Sequence, residues 1–202
     1  MTSSTSAEKS VHDSVWQGSL KLVNVSRARN FAWMYVAEAR IKNMMKWWAS
    51  IAAFGLGNPV LYLFSVGIGI GALVDANGGS AQLGGVSYLT FLAPALLASA
   101  AIQAFQDETS FPVMEGFVWN KTFFAMNATL IAARDIVNGV LAAAVVRTVL
   151  TIAIYEGVLL AFGAISWSVV LPMFVSALLT GAAFGSALMA VTTHIKEDDG
   201  FF

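Results

Sequence analysis

The sequence predicts an all-α membrane protein, with four transmembrane helices preceded by an interfacial amphipathic helix. Three observations predict it. First, hydrophobic residues make up 57% of the 202 residues, charged residues only 11%, and the mean hydropathy is +0.71. An ordinary soluble domain carries roughly 25% charged residues. Second, the apolar residues fall into four long blocks. Third, the basic residues fall between those blocks with a bias to one side.

The blocks run over about 47–73, 86–105, 136–163 and 169–191. Each reaches the ~20 residues that a helix needs to cross the hydrocarbon core. They are rich in Ala, Leu and Gly and lack strict alternation, which argues against strands. Lys9, Lys21, Arg27, Arg29, Arg40, Lys42 and Lys46 precede the first block, Lys121 and Arg134 lie between the second and third, and Lys196 follows the fourth. The connections 74–85 and 164–168 carry no Lys or Arg. This is the positive-inside pattern with both termini cytoplasmic. The polar first ~45 residues contain no short apolar core of a cleavable signal peptide.

Composition excludes several function classes. Eleven Lys+Arg against 12 Asp+Glu give a net charge of −1, which leaves no excess to attract nucleic acid. The absence of cysteine excludes disulfides, thiolate metal sites and cysteine nucleophiles. His12 and His194 flank no carboxylates at metal spacing, so no metal site is expected. No P-loop motif is present, so ATP is not expected to bind this chain.

Residues 1–26 are Ser/Thr-rich and read as a flexible cytoplasmic tail. Residues 27–46 read as the interfacial helix. Phe31, Met34, Ile41, Met45 and Trp48 are expected on one side, with Arg40, Lys42 and Lys46 on the other, facing headgroups. Trp47 and Trp48 suit an aromatic belt. In the first block, Pro59 predicts a kink or break. Gly67 and Gly71 form a GxxxG, as do Gly181 and Gly185 in the fourth block. Close helix packing within one bundle is the favoured use of that spacing. Arg147 and Glu156 fall inside the third block, where ionisable groups face protein or a wet cavity. Nine residues apart, they point to opposite sides of the helix. Either one lines a translocation path, or the charge has a buried partner on another helix, or Glu156 reaches the outer interface. Asp135 and Asn138 sit at the start of that block, where Asp suits a helix N-terminus.

The connection 106–135 alternates apolar residues (Phe111, Val113, Met114, Phe117, Trp119, Phe123) with Asp107, Glu108, Glu115 and Lys121. It reads as a short amphipathic helix on the inner surface, with acidic residues offered for docking. Five motifs occur in order: FLAPA (91–95), DETS (107–110), WNKTFF (119–124), ATL (128–130) and DIVNG (135–139). With the interfacial segment, they resemble the ABC type-2 transporter permeases, in the branch that includes drug-resistance, polysaccharide and nodulation-factor exporters. The family's Thr-Pro-Leu is Ala-Thr-Leu here, and its Pro-Gly is Pro-Ala.

The resemblance covers residues 30–195. It implies a permease subunit of an ATP-driven exporter that moves a drug, lipid or glycan-type substrate out of the cytoplasm and is not itself an enzyme. Its implied partners are a separate ABC ATPase, which binds the ATP, a second permease subunit in a homo- or heterodimer, and membrane lipids. It implies the bacterial inner membrane as location, and coupling to the ATPase through Asp107, Glu108, Thr109, Glu115 and Lys121. Family members have six spans, so the reading is of a permease cut short at HIKEDDGFF (194–202). A four-span secondary carrier and a non-transporting scaffold are the alternatives. The carrier would need Arg147 and Glu156 as coupling groups, and no inverted repeat accompanies them.

Overall fold

The computed structural model describes residues 29–194. The expected tail, Lys196 and the sequence beyond it lie outside the described residues. The chain divides after Asn30, and the unit that starts at Phe31 holds every element below. It is helical throughout: α1 (Ala32–Lys46), α2 (Trp48–Phe64), a π-helical stretch (Ser65–Gly71), α3 (Ala72–Ala76), α4 (Gly79–Gln82), α5 (Tyr88–Thr109), α6 (Phe111–Met114), a second π-helical stretch (Glu115–Trp119), α7 (Thr122–Asn127), α8 (Ala133–Ala161) and α9 (Trp167–Thr192).

Three helical runs are long and apolar enough to cross a membrane: Tyr88–Trp119, Ala133–Ala161 and Trp167–Thr192. They answer to the second, third and fourth blocks. The first block differs. Residues 48–76 are helical, but the run changes from α to π and back, and its apolar helix, Val60–Val74, is shorter than the other three. The chain does not break at Pro59, because α2 continues to Phe64. The change of winding falls one turn later, in the glycine-rich stretch SVGIGIG. Glycine tolerates a π turn because it brings no Cβ to crowd the widened ring.

The helix boundaries have local causes. Ser87 caps α5, its Oγ accepting from the Thr90 N–H at 3.2 Å. At the start of α8 the Asp135 carboxylate accepts from the Ala132 N–H at 3.1 Å, the role expected of an acid in a first helical turn. The connection from α8 to α9 turns at Gly163, whose φ of 66° suits glycine.

Helices α5, α8 and α9 pack around one core of Leu97, Ala101, Ile152, Leu159 and Ala177, with Leu63 of α2 added. A second, smaller cluster joins Val113, Phe123, Ile136, Val140 and Met189 at the end where α5 finishes and α8 begins. Two glycines of the fourth block make the α5–α9 contact possible. A Cβ on Gly181 would lie 2.7 Å from the Ala101 carbonyl oxygen, and one on Gly185 would collide with the Phe105 ring. Both therefore pack inside one bundle. Gly71 is buried, with a Cβ position 3.1 Å from the Val66 carbonyl oxygen of its own run. Gly67 has no described surroundings.

Helix α1 lies against α8 and buries Ala32, Val36 and Ala37. The contact is close at Gly139, where a Cβ would fall 2.5 Å from Val36 Cβ. This contact uses a single glycine, the last residue of the DIVNG motif, and no GxxxG repeat marks it. The wheel drawn for α1 also needs correction. Arg40 does not share a side with Lys42, because two residues at 100° each place them about 160° apart. Lys42 is exposed and pairs with Glu38 at 2.6 Å, whereas Arg40 turns toward the bundle. Phe31, Met34, Met45, Trp47 and Trp48 are all exposed, as an outward apolar side requires.

Candidate functional site

The charged residues of the central region converge where α5 ends. Asp107 and Glu108 are consecutive, so their side chains leave the helix about 100° apart. Arg147, inside α8, nevertheless reaches both. Its Nη2 donates to Asp107 Oδ2 at 2.7 Å and its Nη1 to Glu108 Oε1 at 2.9 Å. The planar guanidinium fork makes one residue serve two acceptors. Exposure separates the two arms: the Glu108 side chain is 9% exposed and that of Asp107 46%. Thr109, next in sequence, is fully buried, and its hydroxyl donates to the Phe105 carbonyl at 3.0 Å.

The amphipathic helix expected over the connection is broken into short pieces. Ser110 bends the chain, Pro112 sits in the first turn of α6, and a π-helical stretch begins at Glu115. The Asn120 amide donates to Glu115 Oε1 at 2.5 Å and closes that stretch. Lys121 follows with a left-handed φ of 51°, a strained backbone for a residue with a side chain. Both Glu115 and Lys121 are exposed. A Cβ on Gly116 would meet the Phe123 ring at 2.5 Å, so only glycine lets this ring seat. Phe123 makes an edge-to-face contact with Phe117 at 5.0 Å.

Arg40 joins this region from α1. Its guanidinium carbon stands 5.7 Å from the centre of the Phe123 ring. Its Nε and Nη2 are buried without a hydrogen-bond acceptor, and among the described residues it forms no ion pair. Burial lowers its pKa from the ordinary arginine value, opposed by the Glu108 and Glu115 carboxylates. These side chains rim a cavity of about 770 Å³ between α1, α2, α5 and α8. Its lining includes Arg40, Asp107, Glu108, Glu115 and Arg147 together with Ile51, Tyr62, Leu96, Ser99, Thr151 and Tyr155.

The structure thus brings Asp107, Glu108, Glu115 and Arg147 together, adds Arg40, and leaves Lys121 on the outer surface. Arg147 lines the cavity and Glu156 does not. Glu156 is buried in the bundle with Oε1 unpartnered. Sequence reasoning missed Arg40, Phe123 and Gly116. The signal available for Arg40 was its place on α1, on the same side as Ala32 and Val36. No group of three or more His, Cys, Asp or Glu suited to a metal ion occurs among the described residues.

The chain is similar to nodulation protein J of Rhizobium leguminosarum bv. trifolii, with 32% identity over 184 residues, 91% of this chain and 64% of that protein. It is likewise 32% identical over 163 residues to nodulation protein J of Rhizobium meliloti (strain 1021), 79% of this chain and 60% of that one. The counterpart from Neorhizobium galegae is 30% identical over 182 residues, 90% of this chain and 63% of the relative. The chain therefore spans a little under two thirds of the length of the curated relatives it matches. No family model and no solved structure matches it.

Proposed function

We propose, from the premise that this chain belongs with the ABC type-2 transporter permeases, that it is the membrane-spanning part of an ATP-driven exporter. The observation that carries the reading is the similarity to nodulation protein J over 91% of the chain. The three long apolar helical runs supply the membrane-crossing scaffold such a part needs. In this reading a separate ABC ATPase subunit binds and hydrolyses ATP. A second permease subunit, the same or different, completes the path. The substrate is a drug, lipid or glycan-type molecule leaving the cytoplasm. The protein sits in the inner membrane with its N-terminus cytoplasmic, as the excess of Lys and Arg before the first apolar block favours.

The coupling role divides according to exposure. Glu115 and Lys121 stand on the surface of the connection and are the groups that meet the ATPase. Asp107, Glu108 and Thr109 lie behind them and transmit movement to α8, since Arg147 ties the first two to the middle of that helix. Charge reversal at Glu115 (Glu115→Lys) is then the informative change. Reversal at Glu108 would break an ion pair and confuse coupling with folding. The test uses the full-length protein. A P-loop ATPase co-purifies with it, and Glu115→Lys lowers permease-stimulated ATP hydrolysis several-fold without altering membrane insertion. Failure to recover any such ATPase, together with ion-driven transport in its absence, overturns the exporter reading.

A further inference from the structure

The cavity has features that export as such does not require. Arg40 faces it with a charge that no carboxylate among the described residues pairs at ion-pair distance, and with two buried N–H-bearing nitrogens lacking an acceptor. A desolvated guanidinium in that condition is unfavourable until an anionic oxygen approaches. The rim as a whole has the opposite need. Asp107, Glu108 and Glu115 outnumber Arg40 and Arg147, and Arg147 is already engaged by two of the acids. Among the described residues Glu115 forms no ion pair, and its Oε1 accepts from the neutral Asn120 amide. A simple anion would satisfy Arg40 and aggravate the acids; a simple cation would do the reverse. A single group that carries both an anionic oxygen cluster and an ammonium satisfies both.

The height of the site names the source of such a group. About 20 residues of helix cross the hydrocarbon core. Counted from Tyr88 at the start of α5, that length ends near Asp107 and Glu108. The rim therefore stands at the boundary between headgroups and acyl chains. Trp47, at the corner between α1 and α2, also lines the cavity and is of the residue type that favours this boundary. The lining also carries the apolar Ile51, Leu96 and Ala100, interleaved with Ser99, Thr151 and Tyr155. The volume, about 770 Å³, lies within the ~300–1,000 Å³ usual for small-molecule sites and suits a headgroup with the upper part of its chains.

We infer that this cavity binds a zwitterionic phospholipid with a primary ammonium headgroup. The phosphate is drawn to Arg40, the ammonium lies toward the free edge of Asp107, and the chain follows the Ile51–Leu96 wall. The inference needs the chain to be in a bilayer but does not rest on export, so its failure and the failure of the exporter reading are separate results.

The test is lipid retention by the full-length protein. It is purified from nanodiscs holding equal amounts of phosphatidylethanolamine and phosphatidylglycerol in a phosphatidylcholine background, and the lipids that remain bound are identified by native mass spectrometry. Phosphatidylethanolamine is expected to be retained about tenfold over phosphatidylglycerol, the ordinary worth of one charge-assisted contact. Asp107→Asn should abolish the enrichment, and Arg40→Gln should lower the retention of both lipids. Ala100→Phe, which fills the cavity and leaves every charge in place, should lower total retention and carries the test if Arg40→Gln does not fold. Retention of the two lipids in their bulk ratio, or an enrichment that survives Asp107→Asn, overturns the inference.

Discussion

Replacing Arg147 by Met should destabilise the bundle, and the size of the effect follows from the unequal exposure of its partners. The Arg147 side chain is 20% exposed, that of Glu108 9% and that of Asp107 46%. Breaking a buried pair by removing one member costs about 3–5 kcal/mol, because the other charge stays behind desolvated. That range applies to Glu108. An exposed pair contributes about 0–1 kcal/mol, and that range applies to Asp107, whose carboxylate finds water when the arginine goes. Arg147→Met alone should therefore cost about 3–6 kcal/mol, most of it through Glu108. The reasoning is checked by reversible unfolding of the purified protein in mixed micelles with a double-mutant cycle. Adding Glu108→Gln to Arg147→Met should recover about 2 kcal/mol or more, since a neutral amide replaces the orphaned charge. Adding Asp107→Asn instead should recover less than about 1 kcal/mol. A larger recovery with Asp107→Asn than with Glu108→Gln would refute the assignment of Glu108 as the buried arm.

The glycine contacts give matched predictions. Gly181→Ala should cost about 1–3 kcal/mol in the same unfolding assay, because its new Cβ meets the backbone oxygen of Ala101. Gly157→Ala, where a Cβ meets nothing within 4 Å, should be neutral or stabilise by up to about 1 kcal/mol. Gly139→Ala should loosen α1 from α8, seen as faster amide exchange over residues 32–46, and Val36→Ala in the same chain should restore part of the protection. Glu156→Met should be neutral or stabilising by about 1 kcal/mol, since an unpartnered buried oxygen is exchanged for packing. Loss of transport by that variant despite its stability would revive the carrier reading, in which Glu156 couples ion movement.

The spans were legible because the signal is a sum. Twenty apolar residues in a row outweigh any local exception, so the second, third and fourth blocks became helices within a few residues of their expected ends. The GxxxG at Gly181 and Gly185 was legible for a similar reason, since a period of four on a helix selects one face. What sequence could not supply was the choice of partner. Glu108 and Arg147 are 39 residues apart, and nothing local marks one as the counter-charge of the other. Read in its own segment, Glu108 is an acid in an amphipathic loop and belongs in water. It is buried because α5 continues to Thr109 and carries it beside α8. Arg40 misled for the opposite reason. Three basic residues within seven positions suggest a single polar face, yet helical geometry puts Arg40 opposite Lys42, and the small residues Ala32 and Ala37, with Val36, decide which face meets protein.

The lengths of the helices explain why α1 needs a glycine on α8 and why Arg147 can be charged inside an apolar helix. At 1.5 Å per residue, the 29 residues of α8 extend about 43 Å, against a hydrocarbon core of about 30 Å. If Ala161 marks one edge, the other falls near Ala142, and the residues before it project beyond the core. Gly139 lies in that projecting part, so the α1–α8 contact stands at headgroup height, where an amphipathic helix settles. Arg147 lies five residues inside the edge, about 7 Å deep. An extended arginine side chain spans a comparable distance, and such side chains direct their charge toward the interface. Counting from the other end of the antiparallel α5 puts Asp107 and Glu108 at the same edge. The two counts start from different helices and opposite ends, and they bring the guanidinium and the carboxylates to one level. The ion triad is therefore where the bundle changes solvent, and a displacement of the connection after Thr109 must either move α8 with it or break the Arg147 ion pairs and the packing of Val113 and Phe123 on Ile136 and Val140.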